Sequence, residues 1–197
     1  MKTIAVTGGI GAGKSTVCAL LSERGIPVYD ADSAAKRLYA RDDTLLDSIE
    51  EAFGCSIRLP DGSLDKDKLS GIAFSSPDKL KTLEGIVHPA VLKDFIRWKA
   101  LQSSLNKSPF CVIESAIILN KPEFLSAVDK VVMVDASLAT RLKRACERDD
   151  VEPEKVIARM AAQRFDLSRI DAVIKNDGSI EELKKEIKRI IGIIDKI

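Results

Sequence analysis

Lys2-Thr3-Ile4-Ala5-Val6-Thr7-Gly8-Gly9-Ile10-Gly11-Ala12-Gly13-Lys14-Ser15-Thr16 is the stretch on which the fold turns. Thr3–Thr7 is β-branched and apolar, too short for a stable helix, and reads as a strand. Gly8 to Ser15 then fits G-x-x-x-x-G-K-[ST], and a helical pattern follows, which is the context a phosphate-binding loop requires. The physical reason is geometric. Glycines let the backbone turn with its amides inward, so that successive N–H groups and a helix N-terminus surround phosphate oxygens that side chains would otherwise block. On this reading Gly11, Ala12, Gly13, Lys14, Ser15 and Thr16 hold ATP. Lys14 reaches the β- and γ-phosphates, Ser15 ligates Mg²⁺, and Thr16 lies on the α-phosphate side. The alternative is a glycine-rich turn without a ligand.

Outward from the loop, short aliphatic segments recur at Val28–Asp30, Phe110–Glu114, Val131–Val134 and Val173–Ile174, each followed by a helical pattern. That alternation predicts an α/β fold: a three-layer P-loop architecture with a parallel sheet flanked by helices. Nearly eighty residues between the second and third strands lack a convincing strand apart from the stretch around Ile57 and the Asp61-Gly62 turn. Helical patterns there cover Asp65–Phe74, Asp78–Ile86 and a run beginning at His88-Pro89 in which Val91, Phe95, Trp98 and Leu105 share a face. This region reads as an inserted helical subdomain for the second substrate. After the fourth strand, Ser137–Glu147 and Glu154–Phe165 form a helical hairpin, a candidate lid. Ser179 and Glu182 make a capping-box pattern ahead of a last helix whose stripe is Ile180, Leu183, Ile187, Ile190, Ile191 and Ile194. The expected organisation is one kinase-type domain with a core (about 1–32, 108–140 and 170–197), an acceptor-binding insertion (about 33–107) and a lid (about 141–169).

Bulk composition narrows the function. The chain has 197 residues, 45% of them hydrophobic and 31% charged, as in ordinary globular proteins and unlike disordered or membrane chains. With 31 basic against 30 acidic residues, there is no global field to favour nucleic acid or an anionic membrane. The apolar run after Met1-Lys2 reaches only Val6, too short for the core of an export signal, and none is visible. Cys18, Cys55, Cys111 and Cys146 are scattered without a C-x-x-C pair and read as reduced structural thiols. His88 is the one histidine, and in the insertion it reads as a structural contact, which leaves little support for a zinc site or a Ser-His-Asp triad.

Several polar residues follow the strands. Asp30-Ala31-Asp32 ends the second one, where the carboxyl edge of a parallel sheet borders the ligand crevice. Asp32 is either a base that accepts a hydroxyl proton or the cap of a helix starting near Ser33. Glu114 closes the third strand, either in the Mg²⁺ shell or as a strand end in solvent. Asn176 is either a contact to the adenine edge or part of an Asn-Asp-Gly turn. Arg141, Arg144 and Arg148 share a helix face, which either stabilises the transferring phosphoryl group or is a solvated face paired with Glu147, Asp149 and Asp150.

Taken together these residues resemble the dephospho-CoA kinase family over nearly the whole chain. The loop Thr7–Thr16 is similar to that family's version, and Asp30-Ala31-Asp32 matches its Asp-Ala-Asp element. Phe53-Gly54, Asp61-Gly62-Ser63-Leu64-Asp65 and His88-Pro89 occur in the family's order within its CoA-binding insertion, and Gln163 and Val173–Gly178 are similar to its closing segment. The resemblance implies transfer of the γ-phosphate of ATP to the ribose 3′-hydroxyl of dephospho-CoA, with Asp32 as base, in the cytoplasm. The loop and the arginine face add Lys14 and Arg141 to the expected catalytic set, and the expected partner is a small-molecule acceptor, with the protein a monomer or weak homo-oligomer. Two positions depart from the pattern. Glu114-Ser115-Ala116-Ile117-Ile118-Leu119-Asn120 stands where the family usually has Asp-x-Pro-Leu-Leu-Phe-Glu, and Lys36 stands where arginine is common. Other readings are a different small-metabolite or nucleoside monophosphate kinase, a nucleotide-switched GTPase, and a P-loop scaffold without catalysis. The GTPase reading lacks D-x-x-G, and Asn120-Lys121-Pro122-Glu123 has the wrong acid for N-K-x-D. Against the scaffold stands the joint retention of Lys14, Ser15 and Asp32.

Overall fold

In the computed structural model, which describes residues 1–105 and 108–194, the first strand sits at the centre of the sheet. The chain runs β1 (Lys2–Gly8), α1 (Lys14–Ser22), β2 (Val28–Asp30), α2 (Ala31–Arg41), α3 (Asp43–Phe53), α4 (Lys66–Ala73), α5 (Pro77–Leu105), β3 (Phe110–Glu114), α6 (Pro122–Leu125), β4 (Lys130–Asp135), α7 (Leu138–Asp149), α8 (Pro153–Ala162), β5 (Ala172–Lys175) and α9 (Ile180–Ile194). The five strands form one parallel sheet in the order β2-β3-β1-β4-β5. Ile4 is in register with Val112 on one side and Lys130 on the other. This is the expected α/β architecture. β1 is apolar on both faces, because both are covered.

The chain divides into two compact units, Met1–Tyr29 with Leu101–Ile197, and Asp30–Ala100. In the first, Ile4 and Val6 of β1 pack with Val17 and Leu21 of α1 and with Leu183, Ile187 and Ile190 of α9. The capping box at the start of α9 is present: Glu182 accepts from the Ser179 N–H at 2.7 Å, and the Ser179 hydroxyl accepts from the Glu182 N–H at 3.3 Å. Ile180 does not join the stripe. It is 47% exposed, because it opens the helix before the stripe reaches the sheet, and the side chain of Ile194 lies outside the described residues.

The second unit is helical, with a single bridge between Arg58 and Leu64 around the Asp61-Gly62 turn. Leu45, Leu46, Ile49, Ile57, Leu69 and Phe95 are among its buried side chains. One expectation fails here. His88-Pro89 does not start a helix; both lie inside α5, which runs through Pro89. Proline removes one N–H and crowds the carbonyl four residues back, here that of Gly85, and a helix can continue past it when its apolar face stays buried. Val87, Val91 and Phe95, all buried, keep their four-residue spacing across Pro89. Leu105, expected on that face, is 48% exposed.

Candidate active site

Gly8 to Ser15 joins β1 to α1 without any other structure between them. Gly8, Gly11 and Gly13 have φ of 148°, 75° and 92°, in the range that L side chains rarely adopt. Space imposes the same choice at Gly11, where a Cβ would run into the backbone carbonyl of Arg141, and at Gly13, where it would run into the amide of Asn176. The Ala12 N–H donates to the Gly9 carbonyl at 3.1 Å, which closes the turn. Lys14 Nζ lies back along the loop and donates to the Gly8 carbonyl at 2.9 Å.

Four elements of the first unit converge on this loop. The Ser15 hydroxyl, exposed on the first turn of α1, donates to Glu114 Oε1 at 3.0 Å from the end of β3. From α7, Arg141 Nε donates to the Ile10 carbonyl at 3.0 Å, and Arg144 Nη1 donates to the Asn176 carbonyl at 2.8 Å. From beyond β5, Asn176 is buried and its Nδ2 donates to the Ala12 carbonyl at 2.8 Å. From the end of α8, Gln163 Oε1 accepts from the Ile10 N–H at 2.9 Å.

The expected arginine face therefore divides. Arg141 and Arg144 reach the loop and its neighbour, whereas Arg148 turns to Asp149, which also accepts from Arg159 of α8 at 2.9 Å. Hydrogen bonds from Arg148 first and Arg159 next hold the Asp149 carboxyl down at about 2. α7 is fixed at its start by Ser137, whose hydroxyl accepts from the Thr140 N–H, and Asp177 accepts from the Ser137 N–H at 2.7 Å. That bond holds the Asp177 carboxyl below the usual carboxylate range. Asn176, expected at the adenine edge, has its side-chain NH₂ committed to the loop. Sequence reasoning did not find that role, because Asn-Asp-Gly is an ordinary turn sequence and the contact spans 164 residues.

In the second unit the paired aspartates have separate positions. α2 begins at Ala31, and its cap is Asp30, which accepts from the Ser33 N–H at 3.0 Å and from the Ser33 hydroxyl at 2.6 Å. Asp32 lies in the first turn with its side chain exposed. The same unit holds a groove of about 560 Å³ lined by Tyr39, Leu64, Leu69, Phe74 and two lysines, Lys36 and Lys66. Among the described residues no group of three or more His, Cys, Asp or Glu is arranged to hold a metal ion, and no helix is long and apolar enough to cross a membrane.

Comparison with known proteins adds the family. The family model CoaE, dephospho-CoA kinase, matches residues 2–182. A dephospho-CoA kinase from Bacillus cereus is 35% identical over 198 residues, covering 98% of both chains, and one from Streptomyces avermitilis is 39% identical over 190 residues, covering 95% of this chain and 91% of that one. Among solved structures, TT1252 from Thermus thermophilus superposes with a TM-score of 0.77 at 31% identity, over 98% of this chain and 97% of that one.

Proposed function

The chain belongs to the dephospho-CoA kinase family and is a kinase of coenzyme A biosynthesis, and from that premise we propose which of its residues move the γ-phosphate of ATP to the ribose 3′-hydroxyl of dephospho-CoA. The observation that carries the assignment is the division of labour between Asp30 and Asp32. Asp30 caps α2, so the exposed carboxylate of Asp32 is left for chemistry. Asp32 lies two residues past the last residue of β2, and ligands of parallel α/β sheets bind beyond the carboxyl ends of the strands. We assign it to accept the proton of the acceptor hydroxyl and to aim that oxygen at phosphorus.

The loop supplies the donor site. Gly11, Ala12, Gly13, Ser15 and Thr16 offer backbone and hydroxyl groups to the phosphates of ATP, with the start of α1 adding the positive end of its dipole. Lys14, held over the loop by the Gly8 carbonyl, is placed to exchange that neutral acceptor for charged phosphate oxygens. Arg141 adds positive charge beside the loop, and Asn176 contributes by fixing the Ala12 carbonyl.

A hydroxyl and a carboxylate 3.0 Å apart, Ser15 and Glu114, form a hard-oxygen pair that suits Mg²⁺, which is usually held by one or two protein oxygens together with substrate phosphates and water. Ser15 would hold the ion, with Glu114 oriented behind it. When bound, it neutralises charge on the β- and γ-phosphates. The insertion is assigned to the acceptor. Its groove combines apolar walls with Lys36 and Lys66, surfaces that suit a molecule with an uncharged arm and phosphates. We assign the α7–α8 hairpin as the lid that excludes water, and place the enzyme in the cytoplasm as a monomer or weak homo-oligomer.

The test is incubation of the purified protein with Mg·ATP and dephospho-CoA, with adenosine and AMP as control acceptors, following coenzyme A by mass. Selective formation of coenzyme A is expected. Equal or faster phosphorylation of AMP would reject the acceptor.

A further inference from the structure

One residue of the loop is held from three directions by the hairpin above it. The Ile10 N–H goes to Gln163 Oε1 at 2.9 Å, and the Ile10 carbonyl accepts from Arg141 Nε at 3.0 Å. The Ile10 side chain packs on a cluster of Ala145, Val156 and Met160, which is the small core between α7 and α8. Both peptide planes that flank Ile10 are thus oriented by side chains from the hairpin. Gln163 is itself well placed to do this. It ends α8 with φ −72° and ψ 132°, its own N–H still donates to the Met160 carbonyl, and the next residue is tied down by Asn120, whose Nδ2 donates to the Arg164 carbonyl at 2.9 Å.

We propose that Gln163 is a positioning residue for the ATP site: its side-chain oxygen holds the Ile10 N–H and so sets which way the amides of the phosphate-binding loop face. The Ile10 N–H is partly shielded from water, and a shielded donor left without an acceptor is costly. If Gln163 offers none, the Gly9–Ile10 peptide rotates toward water or toward another carbonyl, and the glycines on either side let the loop follow. The amides that surround phosphate then lose their common direction, and phosphate affinity falls although no phosphate contact has been removed. Because the same side chain belongs to α8, nucleotide and hairpin position are coupled: a bound phosphate that fixes the loop also fixes the Gln163 end of the hairpin.

The proposal rests on the loop being the ATP site, and the experiment separates the two. Binding of Mg·ADP is measured by calorimetry for the wild type, for Gln163→Met, which keeps length and loses the acceptor, and for Gln163→Glu, which keeps the acceptor. Titrations from ~0.05 to ~0.5 M salt separate the repulsion of phosphate by the added charge, which weakens with salt, from loss of the acceptor, which does not. Thermal unfolding checks that all three are folded. Expected results are a loss of about tenfold in affinity for Q163M, recovery to within about threefold for Q163E, and a matching rise in KM for ATP with KM for dephospho-CoA unchanged within about twofold. Equal affinity of Q163M and wild type overturns the role of Gln163 alone. Equal weakening in Q163M and Q163E, or an equal rise in both KM values, shows a packing role instead and overturns it too. A wild type that binds no Mg·ADP overturns the loop reading itself.

Discussion

At the scale of single residues, the decisive contrast is between side chains the fold uses and side chains it leaves alone. Asp30 and Asp32 are chemically identical and two positions apart, yet only Asp30 is needed by α2. Asp32→Asn is therefore expected to leave unfolding temperature and Mg·ATP affinity near wild type while lowering kcat by about 10²–10⁴, the usual worth of a positioned general base; stopped-time assays beside calorimetry will show it, and a kcat within threefold of wild type would remove Asp32 from the chemistry. Thr7 presents the opposite case. It is fully buried at the end of β1, and its hydroxyl has no hydrogen-bond partner among the described residues. Thr7→Val should stabilise by about 1 kcal/mol in denaturant titration, since it removes an unpaired polar group with little change of shape; a loss of stability would reveal an ordered water on that hydroxyl. The candidate loop and both aspartates were legible from spacing alone. Which aspartate caps was not, because either one fits the cap pattern until the first residue of the helix is known.

At the scale of elements, α7 lies so close to the loop that the glycines there are spacers as well as turns. Gly11 combines a φ of 75° with a Cβ position occupied by the Arg141 backbone carbonyl, which cannot rotate aside as a side chain would. Gly11→Ala should cost about 2 kcal/mol or more in stability and weaken Mg·ADP binding at the same time; weakening of neither would contradict the close packing of α7. The joint between α7 and α8 adds an electrostatic contact to its small apolar core. Asp149 ends α7, where the helix dipole disfavours an acid, and is compensated by Arg148 and Arg159. Its folded value of about 2 lies below the ordinary 3.8, so its contribution is complete above about pH 4 and disappears as the pH falls toward 2. Acid unfolding followed by circular dichroism should therefore show a stability gap between wild type and Asp149→Asn that closes across that window; a gap that persists unchanged at pH 2 would place the effect elsewhere. Element types were mostly readable in the sequence, since periodicity and caps are local. Pro89 carries the local signature of a helix start, but the phase of the stripe overrides it: Val87, Val91 and Phe95 continue straight across it.

At the scale of the whole molecule, binding and stability are one measurement. Mg·ADP at about a hundred times its dissociation constant should raise stability by about 2.7 kcal/mol, which for a chain of this size is a rise in Tm of several degrees. Lys14→Ala should abolish most of that rise and lower kcat by roughly 10³ or more; a full ligand-induced shift in this variant would reject the loop as the nucleotide site. The layered parallel sheet could be foreseen from the alternation of segments, whereas the contacts of Asn176, Gln163 and Glu114 with the loop could not, since each joins residues about a hundred or more positions apart and leaves no periodic trace. The central place of β1 carries its own consequence. During synthesis this strand is made about a hundred residues before its neighbours, which begin at Phe110 and Lys130, so it stays unpaired until they follow. The turn at Gly8, which packs against the Val134 carbonyl, is shaped later still. On the proposed reading, nucleotide therefore has no site on a short nascent chain to bind, and until β3 and β4 follow the apolar segment Ile4–Val6 stays uncovered.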